Sequence, residues 1–259
     1  MLGVNHAWSA CVIGVPVAAT LGFHTPVTAL PFTIIVAGYA LAPDLDCSEA
    51  TASRFLGPVS EVLSWVLRHL SAFVFRLTAT PQDRPSSGVH RHATHTLCFA
   101  VITGAVANWT CTLSPWAVVG WLAFGALAGA AALSEWLLLV FAVCAFAPVV
   151  IERASVLSVL AAMRSWVGLA VILGCLIHCV GDAITVDGVP LLAPIPLGRR
   201  GRRRCWREIH LLPRVIRLHT GRRVERWLLH PLLISAAGMT CVLVWPGLHA
   251  DVRHLIPAL

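Results

Sequence analysis

Apolar residues in this chain come in long runs separated by short polar stretches. Runs long enough to cross a hydrocarbon core as helix, about 17 to 25 residues each, read at 7–23, 27–42, 97–114, 115–133, 135–151, 165–181 and 228–248. They predict an all-α, polytopic transmembrane helical bundle with about six to seven spans. The whole chain, 1–259, reads as one integral-membrane domain. Residues 56–79 are also apolar, but Arg68, His69 and Arg76 interrupt them, which predicts an interfacial amphipathic helix or a re-entrant piece rather than a crossing. The first run lacks the basic flank of a signal peptide and follows a functional-looking His6, so it is kept in the mature chain.

Composition agrees with this class. At 58% hydrophobic, 12% charged and a mean hydropathy of +0.79, the chain exceeds what a soluble core needs. The net charge of +7 comes from arginine alone, since lysine is absent, which reads as coding bias rather than a physical demand. Nine scattered cysteines, mostly inside apolar runs, predict packing roles and no disulfide framework. Tryptophans near span ends, among them Trp116, Trp136 and Trp227, fit an interfacial aromatic belt.

Counting crossings places the N-terminus and the loops 43–96 and 182–227 on one side. Those loops carry five and eleven arginines, against Arg153, Arg164 and Arg253 on the other side. By the positive-inside rule that side is cytoplasmic. The basic run Arg199-Arg200-Gly201-Arg202-Arg203-Arg204 reads as a patch facing lipid headgroups. Nucleic acid is not an expected partner, because stacking aromatics and a folded nucleic-acid module are missing.

Four groups of metal-ligand residues share the cytoplasmic side: His6, Asp44 with Asp46, His90 with His92 and His95, and His178 with Asp182. Ionisable groups in an apolar chain of this kind read by default as functional. His178 and Asp182 lie one helical turn apart on one face and can share an ion, or simply pair with each other in a core. Asp44 and Asp46 follow the helix-breaking Pro43, either as a rigid acidic turn that needs a cation nearby or as a solvated loop start. Histidine is the commonest protein metal ligand, with His90 and His95 the more committed of the third group and His92 open to being merely solvated. The remaining histidines, His24, His69, His210, His219, His230, His249 and His254, read as interfacial or solvated.

In order and spacing the motifs resemble the YdjM family of membrane-bound, metal-dependent hydrolases. The matching elements are His6, Pro43-Asp44-Leu45-Asp46, His90 to Thr96, and His178, Asp182, Thr185 and Gly188, followed by Thr220-Gly221-Arg222-Arg223-Val224-Glu225. Three positions depart from the family pattern: Cys47 stands where the family often has histidine, His92 replaces a glycine and Thr96 a serine. The resemblance implies a hydrolase in a bacterial inner or plasma membrane, related to the helical zinc phospholipase C and single-strand nuclease group.

On that reading His6, Asp44, Asp46, His90, His95, His178 and Asp182 hold a divalent metal, expected to be zinc. Seven ligands suit two or more ions, since one zinc needs three protein ligands and an open position. Asp46 and Glu225 are the catalytic candidates, Asp46 as ligand or general base and Glu225 as an eighth ligand or a group that orients others, with Thr94 and Thr185 in the same orienting role. Membrane lipids are the expected partners and a lipid phosphoester is the natural substrate, with a soluble phosphoester or an amide as alternatives. The competing class is a transporter or ion-binding membrane protein, which would place its ionisable groups near the bilayer midplane on broken helices.

Overall fold

The computed structural model describes residues 1–84, 86–198 and 203–245. Arg199, Arg200 and Arg202 of the basic run, Arg253, His249, His254 and the last three residues of the run 228–248 lie outside the described residues.

Eight α-helices make up the described fold: α1 (Gly3–Thr20), α2 (Pro26–Tyr39), α3 (Pro58–Thr78), α4 (Leu97–Leu113), α5 (Pro115–Ala132), α6 (Trp136–Ile151), α7 (Val156–Ala183) and α8 (His230–Val244). Among the described residues the only strand-like pairings are isolated bridges: Thr185 with Leu218, Val189 with Ile209 and Leu197 with Arg204. Each long apolar run therefore folds as helix, because a backbone in hydrocarbon must satisfy its own hydrogen bonds. Four segments are long and apolar enough to cross a membrane: Pro26–Asp46, Pro115–Ala132, Val156–Ala183 and Glu225–Val244. Leu97–Leu113 and Trp136–Ile151 are apolar but shorter.

The helix boundaries follow local chemistry. Thr25 and Thr28 form a reciprocal capping box ahead of Pro26. Ser114 caps α5, Ser155 caps α7, and Thr96 caps α4 by accepting from the Phe99 amide at 3.1 Å. Pro43 ends the regular part of the second segment and converts it into a 3-10 turn, Ala42–Asp46.

Helix α2 is the centre, packed on α1, α5 and α7, while α4 lies along α7 and α8 along α1. Phe32, Ile35 and Val36 of α2 and Val167, Val171 and Cys175 of α7 are fully buried. Small residues let the helices approach: a Cβ at Gly38 would stand 1.8 Å from the Gly125 carbonyl oxygen of α5. Helix α6 has Ala145 as its one buried residue and is apolar all round, the pattern of a lipid-facing helix.

The segment expected as interfacial or re-entrant is a single 21-residue helix, α3, with an inverted distribution. Ser60, Ser64 and Ser71 face inward, while Val59, Val62, Trp65, Leu70, Phe73 and Leu77 are exposed. One inner serine holds the neighbouring loop. Ser71 Oγ donates to the Gly88 carbonyl at 2.7 Å and accepts from the Ala93 amide at 3.1 Å, so α3 pins the loop that carries His90 and His95.

Candidate metal centre

Local structure delivers the ligand residues to one place. His6 sits in the first turns of α1, Asp44 and Asp46 on the 3-10 turn after α2, His95 on a 3-10 turn (Ala93–His95) before α4, and His178 with Asp182 at the end of α7. Two groups result: Asp44, Asp46, His90 and His95, and His6, His178 and Asp182, with ligand atoms in each within 4.8 Å of one another. The groups touch. His95 Nε2 is 3.1 Å from His178 Nε2 and 3.6 Å from Asp182 Oδ2, and His178 Nε2 is 3.6 Å from Asp44 Oδ1.

The tautomers are set by neighbours. His178 Nδ1 donates to the Ala40 carbonyl at 2.8 Å, which leaves Nε2 a lone pair aimed into the cluster. Thr94 Oγ1 donates to Asp46 Oδ2 at 2.5 Å and can therefore accept from His95 Nδ1 at 3.0 Å, turning His95 Nε2 toward His178. His6 stacks on His178 with ring centroids 3.8 Å apart. Its two ring nitrogens are buried without an aligned hydrogen bond, although Nε2 lies 3.2 Å from Asp182 Oδ1. A buried imidazole so placed fits a cation in the cluster, since an unsatisfied buried polar group is otherwise costly. Close approach requires Gly181, where a Cβ would stand 2.9 Å from His6 Nδ1.

The two aspartates of the turn are not equivalent. Asp46 is 1% exposed and accepts from His90 Nδ1 at 2.6 Å, the Arg91 amide at 3.1 Å and Thr94. It thereby binds the 90–95 loop to the turn. The Asp44 carboxylate accepts no hydrogen bond among the described residues and stands between His95 and His178. Burial alone would depress the His95 pKa, but the carboxylates of Asp46, Asp44 and Asp182 push it up to about 10. Three acids hold a positive charge at this point, a proton or a metal ion.

Other expected residues lie elsewhere. Glu225 is buried against the start of α1, accepting from the Leu2 amide at 2.6 Å, Asn5 Nδ2 at 3.0 Å and the Gly221 amide at 2.6 Å. It touches neither ligand group and fixes the helix that bears His6. Thr185 Oγ1 donates to the Asp182 carbonyl at 2.7 Å. Cys47 belongs to neither group, and His92 packs between Phe75 and Trp206 with its Nδ1 2.6 Å from the His90 carbonyl oxygen. His230, half-buried, has its Nδ1 2.7 Å from Asn5 Oδ1.

Arg91 is the residue whose part sequence reasoning missed. Its φ of 56° is in the left-handed region, uncommon for a residue with a side chain. Its guanidinium lies 3.3 Å from Asp182 Oδ2 and 3.0 Å from Asp187 Oδ2, so it ties the loop to the end of α7. The sole signal in the sequence is its place between two histidines of the motif.

No curated protein and no solved structure matches the chain. The model of one family, described as YdjM inner membrane protein, matches residues 1–248. That span holds every ligand residue described above, and the chain therefore belongs to the YdjM inner membrane protein family.

Proposed function

We propose that the chain is a membrane-bound, metal-dependent hydrolase that cleaves a phosphoester, lipid-borne by preference, at the cytoplasmic membrane surface. The observation that carries the reading is the convergence of His6, Asp44, Asp46, His90, His95, His178 and Asp182, drawn from four regions of the chain, with the Nε2 atoms of His95 and His178 turned toward one another. A buried ion pair would serve structure with two such groups, so seven point to divalent cations, with zinc favoured by the His and Asp donor set. A bound cation of this kind lowers the pKa of a coordinated water and stabilises charge that develops on phosphorus.

The chain's own residues then have distinct tasks. His6, Asp44, His95, His178 and Asp182 turn ligand atoms into the cluster, with Asp182 also holding Arg91, and His90, its side chain 41% exposed, stands at the rim. Asp46 orients His90 and His95, and as a carboxylate between two imidazoles it can also hold a proton in transit. Glu225 positions α1. The six to seven crossings and the cytoplasmic facing rest on the seven apolar runs of the sequence and the arginine balance of the loops.

A lipid substrate is favoured by an apolar cavity of about 520 Å³ lined by Tyr39, Ala42, Leu45, Leu63, Phe99 and Trp121. Leu45 lies between the two aspartates of the turn, so an acyl chain in this cavity would end beside the ligands. The test is elemental analysis of detergent-purified protein, followed by a phosphoesterase screen that includes lipids. Stoichiometric metal in the wild type, lost together with turnover in Asp44→Ala and His178→Ala, is the expected result. Wild-type protein without stoichiometric metal overturns the reading.

A further inference from the structure

Beside the ligand groups lies a second cavity of about 640 Å³, and its walls are polar. Arg84, Arg91, Arg214 and Arg217 line it, together with the acids Asp187 and Glu208. Two of the arginines are neutralised in place, Arg91 by Asp187 at 3.0 Å and Arg84 by Glu208 at 3.5 Å. Among the described residues Arg214 and Arg217 face no carboxylate. Arg217 gives Nε to the Leu212 carbonyl at 3.0 Å, which leaves its terminal nitrogens uncommitted. The cavity therefore carries an excess of two guanidinium charges.

Its frame is held. Gly188, with φ of +68°, lets the loop pass His210, where a Cβ would meet His210 Nε2 at 2.7 Å. His210 Nε2 donates to the Val186 carbonyl at 3.0 Å. On the far wall Asp83 accepts from the Trp206 amide at 2.9 Å and the Cys205 amide at 3.2 Å. Near Arg214 in the chain, Leu211, Val215 and Ile216 are 53%, 91% and 57% exposed. Exposed apolar residues beside basic ones suit contact with a lipid interface. Arg91 joins this cavity to the ligand groups, because the same guanidinium reaches both Asp187 and Asp182.

We infer that this cavity is a recognition subsite for a phosphate monoester dianion, held by Arg214 and Arg217 and presented to the ligand groups across Arg91. A phosphate monoester carries nearly two negative charges near neutral pH, and planar guanidinium forks match its oxygens. The inference deepens the hydrolase reading and rests on it for cleavage alone, since binding is measurable without turnover. The phosphate can belong to a lipid headgroup or be free, and the exposed apolar residues near Arg214 favour the headgroup.

The experiment measures binding of the full-length purified protein to inorganic phosphate, and separately to phosphatidylcholine vesicles with and without phosphatidic acid. The variants are R214Q/R217Q and, as a control of equal charge, R222Q/R223Q outside the cavity. Loss of two bidentate-capable arginines should weaken phosphatidic acid binding at least about tenfold in R214Q/R217Q, with the control within about threefold of wild type. Metal content should stay as in wild type. Binding of vesicles alone identifies the headgroup as the source, whereas binding of inorganic phosphate as well admits free phosphate. Equal weakening in both variants, unchanged binding in R214Q/R217Q, or loss of metal there overturns the inference. Intact, arginine-dependent binding without turnover sinks the hydrolase reading and leaves the subsite standing.

Discussion

The two ligand groups share one site but stand on opposite kinds of backbone. His6, His178 and Asp182 are carried by α1 and α7, are at most 1% exposed, and owe their position to helix packing through Gly181. Asp44, Asp46, His90 and His95 are carried by 3-10 turns and a loop, and include the two accessible members, His90 at 41% and Asp44 at 17% side-chain exposure. The helix-borne group is a closed anchor, and the turn-borne group is the open side. Rigid elements hold ligands well, and under the proposed function a substrate would enter from the side of the turns.

The most disruptive break of this division is Asp182→Ala. Asp182 lies within 3.7 Å of His6, His95 and His178 and also receives Arg91, so its loss should remove metal and lower turnover by about a thousandfold. Retained metal in this variant would show that the two groups are not one site. Asp46→Asn keeps the shape but sets an amide against the donors His90 and Thr94, and should weaken metal binding about 10- to 100-fold by elemental titration. An unchanged affinity would show that the 90–95 loop holds its ligands without the turn.

Proton competition tests the shared charge. With the His95 pKa at about 10, its proton must leave before an ion binds, so below that pH apparent metal affinity should rise up to about tenfold per pH unit. Calorimetry in buffers of different ionisation enthalpy should show proton release on binding, and none would contradict the shared cluster. His90→Ala, at the rim, should cost about tenfold in turnover while leaving the helix-borne ligands loaded. The smallest effect is expected at Asp83, whose carboxyl burial would raise but which amide donors from Thr80, Trp206 and Cys205, with the Thr80 hydroxyl, hold low. Because its pKa is lowered in the fold, Asp83 stabilises the loop above about pH 4 and loses that contribution as acid protonates it. Asp83→Asn should raise the proteolysis rate of the 203–211 segment about threefold at neutral pH and less at acid pH.

Much of the site was legible because its parts are local. The i, i+4 pair of His178 and Asp182, the Pro43-Asp44-Leu45-Asp46 turn and the clustered histidines are short motifs whose geometry depends on a few dihedrals. The role of Arg91 was not legible, since it depends on a left-handed backbone and on two acids, Asp182 and Asp187, remote in sequence. Glu225 was grouped with the chemistry by motif, while its partners are Leu2, Asn5 and Gly221. The contact of His230 with Asn5 is not legible for the same reason, since the two are remote in sequence.

By itself the sequence determined the helical, membrane-spanning class and the family, because apolar run length and motif order are one-dimensional properties. Only the tertiary structure decided which carboxylate is free and which is spent on hydrogen bonds, which imidazole nitrogens face inward, and where two uncompensated arginines meet a cavity. Those outcomes depend on how distant backbones cross, and in this chain small residues such as Gly38, Gly125 and Gly181 set how closely they can.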